Sequence, residues 1–382
     1  MIPISVPHIA GNEWKYIKEC LDTEWVSSVG KYVDRFEEDI CKFTGARYAV
    51  ACVNGTAALH VALRLVGVEP GDEVVVPTVT FIAPVNVVRY LNAEPIFMDC
   101  DDFYNIDVVK VIEFIERETV FHNGYTRSKK TNKRISAIVP VHVFGNAVNM
   151  EELRIVCEQR NIKIVEDATE SLGTYYIEGS LADKYTGTIG DIGCFSFNGN
   201  KIITTGGGGM IVTNDKDYAA QARYLTTQAK DDGVRYVHNE VGYNYRLTNI
   251  QAAMGVAQLE KLPEFMETKR RNCQIYKTGI AKISGLQLAD TPGYAVSNFW
   301  YYCLQVDKST YGKDREELMV WLLDNGIQSR PLWQLNHLQM PYCHCESYNI
   351  VKANEMLEKT LNIPCSVNLT NREINYVLSL LS

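Results

Sequence analysis

The sequence predicts an α/β fold: a mostly parallel sheet with helices on both faces, followed by a smaller α+β part. Two observations carry this. Seven apolar, β-branched runs recur before residue 248, and several are separated by segments with helical spacing. After residue 248 the alternation gives way to one long helical stretch and a shorter mixture of strand and helix signals.

Each element has a local reason. Ala49 to Val53, Val74 to Val76, Pro95 to Met98, Ala137 to Val141, Ile162 to Val165, Cys194 to Phe197 and Met210 to Val212 are apolar rather than alternating, as strands covered on both faces should be. Seven strands are therefore expected in the sheet. Ala57 to Val66, Ala83 to Leu91 and Met150 to Arg160 carry helical patterns between them. From Thr248 to Ile283 the residues Ala252, Ala253, Val256, Leu259 and Leu262 recur at helical spacing. A strand at Trp300 to Val306, a helix from Lys313 to Asp324 stopped by Asn325-Gly326, and a final helix after Thr370 complete the chain. The expected division is a large domain over 1–247 and, over 248–382, an interdomain helix with a small C-terminal domain. A chain of 382 residues suits two units, since single cores stop growing near roughly 250–300 residues.

Composition excludes several classes. With 38 basic and 46 acidic residues the net charge is −8, which offers no general field for nucleic acid. The cluster Arg127, Lys129, Lys130, Lys133 and Arg134 lies among turn residues and reads as a solvated hairpin tip. Eleven cysteines in no regular framework, among them Cys52, Cys100, Cys194 and Cys303 in apolar runs, suggest reduced, buried thiols. Cys343-His344-Cys345 lacks the spaced pairs of a structural zinc site, so no metal is expected. The first residues show no signal-peptide pattern, and Val74 to Val88 is cut by Pro77, Pro84 and Asn86, so no membrane span is expected. The expectation is a cytoplasmic protein.

Ligands on such sheets sit beyond the carboxyl ends of the strands. Gly55-Thr56, the segment Pro77 to Phe81, and Asp167 all fall there. Near them Ser196-Phe197-Asn198-Gly199-Asn200-Lys201 precedes Thr204-Thr205 and four glycines, Gly206 to Gly209. A strand-terminal acid, a Ser-Phe strand and a lysine before a glycine tract are the parts of a pyridoxal-phosphate (PLP) site. The lysine amine forms a Schiff base with the cofactor aldehyde, and the acid keeps the pyridine nitrogen protonated. Lys201 alone would read as a solvated surface lysine, and its neighbours change that reading. A nucleotide P-loop is ruled out, because no Lys-Ser or Lys-Thr follows the glycines at the required spacing. Gly55 and Thr56 begin a helix whose free N–H groups suit a phosphate, although Asn-Gly-Thr also makes an ordinary cap. Ser196 adds a hydroxyl to that phosphate or bonds a strand neighbour. Phe81 lies on the pyridine or packs in the core. Asp167 meets a pyridinium N–H, which would offset its burial, or caps the next helix.

These residues resemble a known family. Asn54-Gly55-Thr56-Ala57-Ala58-Leu59, Pro77-Thr78-Val79-Thr80-Phe81, Glu166-Asp167-Ala168, Gly190-Asp191-Ile192-Gly193-Cys194-Phe195-Ser196-Phe197 with Lys201, and Gly242-Tyr243-Asn244-Tyr245-Arg246 look like the DegT/DnrJ/StrS sugar aminotransferases over nearly the full length. The resemblance implies the PLP-dependent transferase fold of type I, aspartate aminotransferase-like, and a homodimer with the active site at the subunit interface. It implies Lys201 as the Schiff-base lysine and Asp167 as the partner of the pyridine nitrogen. Ser196, Gly55 and Thr56 become the phosphate cup, Phe81 the stacked aromatic, and Asn244 a residue reaching the phosphate of the second subunit. Read alone, Asn244 is only a turn residue beside tyrosines.

Within that family the chain looks nearest to aminotransferases of legionaminic-acid biosynthesis, with bacillosamine pathways next. Val6-Pro7, Gly11-Asn12-Glu13-Trp14, Trp25-Val26-Ser27-Ser28-Val29-Gly30, Asp167 to Gly173 and Gly206 to Gly209 suggest it. The implied reaction moves the amino group of L-glutamate to C4 of a UDP-linked 2-acetamido-2,6-dideoxy-4-ketohexose. Arg246 and Arg330 are candidates for the diphosphate or the donor carboxylate, since a guanidinium fork suits both, and Trp25 is a candidate for the sugar site. Glu170 stands where many members have Gln or His near the cofactor phenolic oxygen, and Gly207 where Glu is usual. An ionised Glu170 beside a phenolate would be repelled, so it is expected to be protonated or bonded to another donor. A sugar dehydratase would carry histidine in place of Lys201. A non-catalytic regulator binding PLP or a sugar nucleotide would not need a reactive amine.

Overall fold

The computed structural model covers residues 1–382. All seven expected strands form, and an eighth joins them. In sheet order they are Tyr48–Cys52, Gly209–Thr213, Ile192–Ser196, Lys163–Asp167, Ile135–Ile138, Glu73–Pro77, Glu94–Met98 and Glu346–Tyr348. From Ile192–Ser196 to Glu346–Tyr348 every neighbour is parallel. Gly209–Thr213 runs against both of its neighbours. The expected count of seven is thus corrected to eight. The addition, Glu346-Ser347-Tyr348, comes back from the C-terminal part of the chain to pair with Ile96, Phe97 and Met98. Three residues without an apolar run carry no periodic signal; unpaired backbone groups on the edge of Glu94–Met98 supply the reason for pairing.

The sheet is covered on both faces, and the covers follow the pleat. Val50 and Cys52 pack with Leu59, Val61 and Val74. Ala49 and Ala51, pointing the other way, pack with Phe36, Ile40, Ala252 and Val256. Each fully buried valine contributes about 1.5–3 kcal/mol of transfer free energy. This is why the runs contain so little polar alternation.

A 32-residue helix, Asn249–Ile280, follows the sheet, and Thr248 and Gln251 close a reciprocal capping box at its start. Beyond it Leu286–Leu288, Tyr302–Val306, Thr360–Ile363 and Arg330–Pro331 form an antiparallel four-stranded sheet in that order. Helices Arg315–Asp324 and Asn371–Leu381 share its core through Leu318, Leu322 and Ile374, packed with Leu304. The strand expected from Trp300 starts at Tyr302 instead, because Phe299 adopts a left-handed φ of 53° and turns the chain.

The hairpin Thr119–His122 and Tyr125–Ser128 turns at Asn123-Gly124. The basic cluster forms a second turn after it, closed by the Arg127–Arg134 bridge, with Arg134 paired to Asp72. Cys52, Cys100, Cys194 and Cys303 are buried, as their apolar surroundings require. No helix is long and apolar enough to cross a membrane.

Candidate active site

The strand Lys163–Asp167 delivers two adjacent acids to the carboxyl edge of the sheet, Glu166 at 0% and Asp167 at 2% exposure. Successive strand residues point to opposite faces, so the two have different partners. Glu166 accepts four hydrogen bonds, from Gly187 N (2.9 Å), Ile189 N (2.6 Å), Gly190 N (2.6 Å) and His142 Nε2 (3.0 Å). His142 Nδ1 accepts the Val148 N–H at 3.0 Å, which fixes the tautomer that donates from Nε2 to Glu166. Asp167 instead receives one backbone donor, Thr169 N at 3.1 Å. Burial pushes its carboxyl up, against Thr169, Lys201 and His142, which favour the charged form.

Gly55 starts the helix Gly55–Leu65, and Asn54 caps it by accepting from Ala57 N. Gly55 and Thr56 are therefore the first two N–H groups of the helix, which have no partner in the preceding turn. A Cβ on Gly55 would meet Ser196 Cβ at 2.9 Å and Thr169 Cγ2 at 3.0 Å. The glycine thus lets the start of the helix come close to Thr169 and the Ser196 hydroxyl.

Lys201 lies on the loop between Ile192–Ser196 and Gly209–Thr213, which is drawn back by Phe197 N to Gly208 O and Thr205 N to Phe197 O, both 2.9 Å. Its Nζ is 3.6 Å from Glu170 Oε1 and 4.0 Å from the centroid of the Trp300 ring. Glu170 is buried; its Oε2 accepts the Phe144 N–H at 2.8 Å, and burial pushes its carboxyl up to about 7, with Lys201 as the largest opposing influence. Phe144 reaches Glu170 only from a left-handed conformation, φ 57°. Next to it Gly145, at φ 90°, could carry no side chain, since a Cβ would fall 1.9 Å from Asn298 Oδ1. Asn298 in turn donates to the carbonyls of Glu170 and Leu172.

Asp167, Glu170, Lys201, Ser196, Gly55 and Thr56 therefore converge. The remaining expected residues lie further out. Phe81 is exposed, its ring 6.5 Å from that of Trp333. Asn244 is exposed, and its side-chain oxygen accepts from Arg246 Nε (3.1 Å) and Nη2 (3.0 Å). Arg330 is exposed on its short strand and donates to Ser329 O. Trp25 lines a separate open cleft of about 460 Å³ with Glu19, Cys20, Thr23, Val29 and Lys31, which shares no residue with the Lys201 cluster. At Gly207 a side chain would find open space, with Gln251 Nε2 3.8 Å away. Glu94, His344 and Cys345 approach one another within 4.8 Å, a donor set the sequence spacing did not suggest. The cation among them is the Arg89 guanidinium, bonded to Glu94 and lying 2.9 Å from His344 Nε2 and 3.2 Å from Cys345 Sγ.

The sequence reading missed His142, Phe144, Thr169 and Trp300. His142 follows the run Ala137 to Val141, so the strand-end rule itself points to it. Thr169 sits two residues beyond Asp167, inside the run Asp167 to Gly173, where nothing local marks it. Phe144 and Trp300 come close through backbone turns that leave no pattern.

The residues fit pyridoxal phosphate: a buried acid bonded within the protein by Thr169, free N–H groups at a helix start beside a serine hydroxyl, and an amine near both acids. Comparison with known proteins agrees. Residues 7–382 match the profile of the DegT/DnrJ/EryC1/StrS aminotransferase family. The chain is 37% identical over 384 residues to a GDP-perosamine synthase of Caulobacter vibrioides, covering 100% of this chain and 97% of that one. It is 34% identical over 378 residues to a GDP-perosamine synthase of Vibrio cholerae, with 99% and 97% covered. Among solved structures, a DegT DnrJ EryC1 StrS aminotransferase from Brucella abortus superposes with a TM-score of 0.87 at 26% identity, over 97% of this chain and 94% of that one. DesI, solved in the presence of its TDP-sugar product, gives 0.87 at 26%, over 100% and 92%. The chain belongs to the DegT/DnrJ/EryC1/StrS family and is a pyridoxal-phosphate-dependent sugar aminotransferase.

Proposed function

We propose that this protein moves the amino group of L-glutamate to C4 of a UDP-linked 2-acetamido-2,6-dideoxy-4-ketohexose, for a bacterial surface glycan of the legionaminic-acid type, in the cytoplasm. The observation that carries the chemistry is the convergence of Lys201, Glu170 and Asp167 near the close approach of Gly55 to Ser196. Bound there, pyridoxal phosphate supplies an electron sink for the negative charge that develops at the donor Cα. Lys201 Nζ would carry the cofactor and, when free, would move the proton from the donor Cα to the cofactor and, in the second half, from the cofactor to the sugar carbon. Asp167 would hold the pyridine nitrogen and keep it protonated. The first N–H groups of Gly55–Leu65 and the Ser196 hydroxyl receive the phosphate. Phe81 would stack on the cofactor ring, and Glu170, whose carboxyl burial pushes up to about 7, would offer the phenolic oxygen a proton. Glutamate leaves as 2-oxoglutarate and the sugar ketone becomes an amine.

A second copy of the chain completes the site in this reading, bringing Asn244 to the phosphate. The exposed Val234, Tyr236, Val237 and Val241 next to Asn244 support a covered face there. Arg246 and Arg330 offer guanidinium forks for the diphosphate or the donor carboxylate, and Trp25 a ring for the sugar. The nucleotide rests on the likeness to legionaminic-type enzymes. Two relatives at 34–37% identity are GDP-perosamine synthases, so a GDP-linked sugar is the competing substrate. A bacillosamine-type UDP-sugar is the other.

The test is the absorbance of the cofactor-loaded protein. Glutamate should shift the band, and the UDP-linked 4-keto sugar should restore it. Restoration by a GDP-linked 4-keto sugar alone would keep the aminotransferase and reject the UDP assignment. A bound cofactor that glutamate does not alter would instead support a binding protein without transfer.

A further inference from the structure

We propose that Trp300 is a positioning residue for the reactive amine: its indole face and the Glu170 carboxyl are the two walls between which the Lys201 side chain is held when it is not joined to cofactor. The proposal rests on the reading of Lys201 as the cofactor-bearing lysine.

Three features set Trp300 apart from an ordinary core tryptophan. It is 3% exposed, and its ring centroid lies 4.0 Å from Lys201 Nζ, close enough for the electron-rich face to attract a cation in a site with little water. The ring cannot drift from the lysine loop, because Trp300 Nε1 donates to Asn200 O at 2.7 Å, the residue before Lys201. It is also backed by Tyr301, stacked at 4.2 Å and 26°.

The backbone is fixed at both ends. Trp300 N donates to Asn298 Oδ1 at 2.9 Å, and Asn298 also ties the Glu170 carbonyl. Both walls are thus referred to one asparagine. Trp300 O accepts from Lys269 Nζ at 3.0 Å; Lys269 is itself 3% exposed and spends its other bond on Cys365 O at 2.6 Å. Phe299, immediately before, holds a left-handed φ of 53°. The buried Lys269 and the left-handed Phe299 thus fix the backbone that carries the ring, and backbone strain of this kind gathers where geometry matters for function.

The test uses the full-length protein freed of cofactor, in which Lys201 is labelled by an amine-acylating reagent over a range of pH and quantified by mass spectrometry. Global replacement of tryptophan by fluorinated tryptophans, which weaken the ring face with little change of shape, tests the contact without a cavity. Trp300 is the tryptophan whose ring lies over Lys201, so the Lys201 peptide reads its effect. Trp300→Phe and Trp300→Leu provide the genetic series. Weakening the face should move the labelling profile toward lower pH stepwise with fluorination, and Trp300→Leu should move it by about one unit, since a desolvated cation–π contact is of that size. Trp300→Phe should fall between. A change in labelling rate by the same factor at every pH, with no displacement of the profile, would mean that the ring only shields the amine, and would overturn the proposal. Borohydride reduction of the cofactor-loaded wild type, followed by locating the modified lysine, tests the underlying reading separately. Modification elsewhere than Lys201 sinks that reading whatever the labelling profile shows.

Discussion

Two buried acids four residues apart, Glu166 and Glu170, lie in regions built on opposite terms. Around Glu166 every bond is made: three backbone N–H groups and His142 converge on its two oxygens. Around Glu170 the protein stops short. One oxygen takes the Phe144 N–H, the other faces Lys201 at 3.6 Å, and the carboxyl is pushed up to about 7. The first region ties the turn at 187–190 to the end of a strand and has no capacity left for chemistry. The second keeps a proton within reach of neutral pH, where a group can serve in acid–base steps. The same residue type does both, and the number of donors around it decides which.

Removing the amine from the second region is the largest disturbance. Lys201→Ala should lower amino transfer by at least roughly 10³-fold while leaving the fold in place, checked by steady-state rates beside circular dichroism. Emptying the first region should act on stability instead. Glu166→Ala leaves the N–H groups of Gly187, Ile189 and Gly190 and the His142 ring without partners, a loss of roughly 3–5 kcal/mol by denaturant titration. A small change there with a large loss of activity would reverse the division between the regions.

The pH dependence separates them further. Glu170 in the folded, cofactor-free protein holds its proton up to about 7, while the unfolded chain releases it near a pKa of about 4.3. The folded state therefore binds more protons in that window, and stability falls as pH rises through it. Glu170→Gln should remove about 3–4 kcal/mol of that fall. Asp101, also pushed up to about 7, slopes the same way and is left untouched, so the difference between the two proteins isolates Glu170. Gly55→Ala is the mildest change: its Cβ would press on Ser196 and Thr169, costing about 1–2 kcal/mol and weakening pyridoxal-phosphate binding more than stability, as equilibrium dialysis would show.

The sheet was legible in the sequence because strands covered on both faces must be apolar throughout, as Val74-Val75-Val76 is. Asp167 and Lys201 were legible because a strand end and a glycine tract mark them locally. Glu346–Tyr348 was not, since a short polar edge strand is placed by pairing rather than by burial of an apolar run. Its neighbours Cys343-His344-Cys345 drew attention for metal chemistry, and the structure puts the Arg89 guanidinium beside two of them. Trp300 read as the first residue of a strand; its contact with Lys201 depends on the left-handed Phe299 and on Asn298, neither of which announces itself.

The pairing of Glu346–Tyr348 with Glu94–Met98 also constrains how the protein is made. An early strand waits for one of the last segments to leave the ribosome, and until then a row of unpaired N–H and C=O groups stands open along the apolar Pro95-Ile96-Phe97-Met98. A chain interrupted before residue 346 would lack this edge strand together with Thr360–Ile363, an inner strand of the small sheet, and would offer its open margin to other chains.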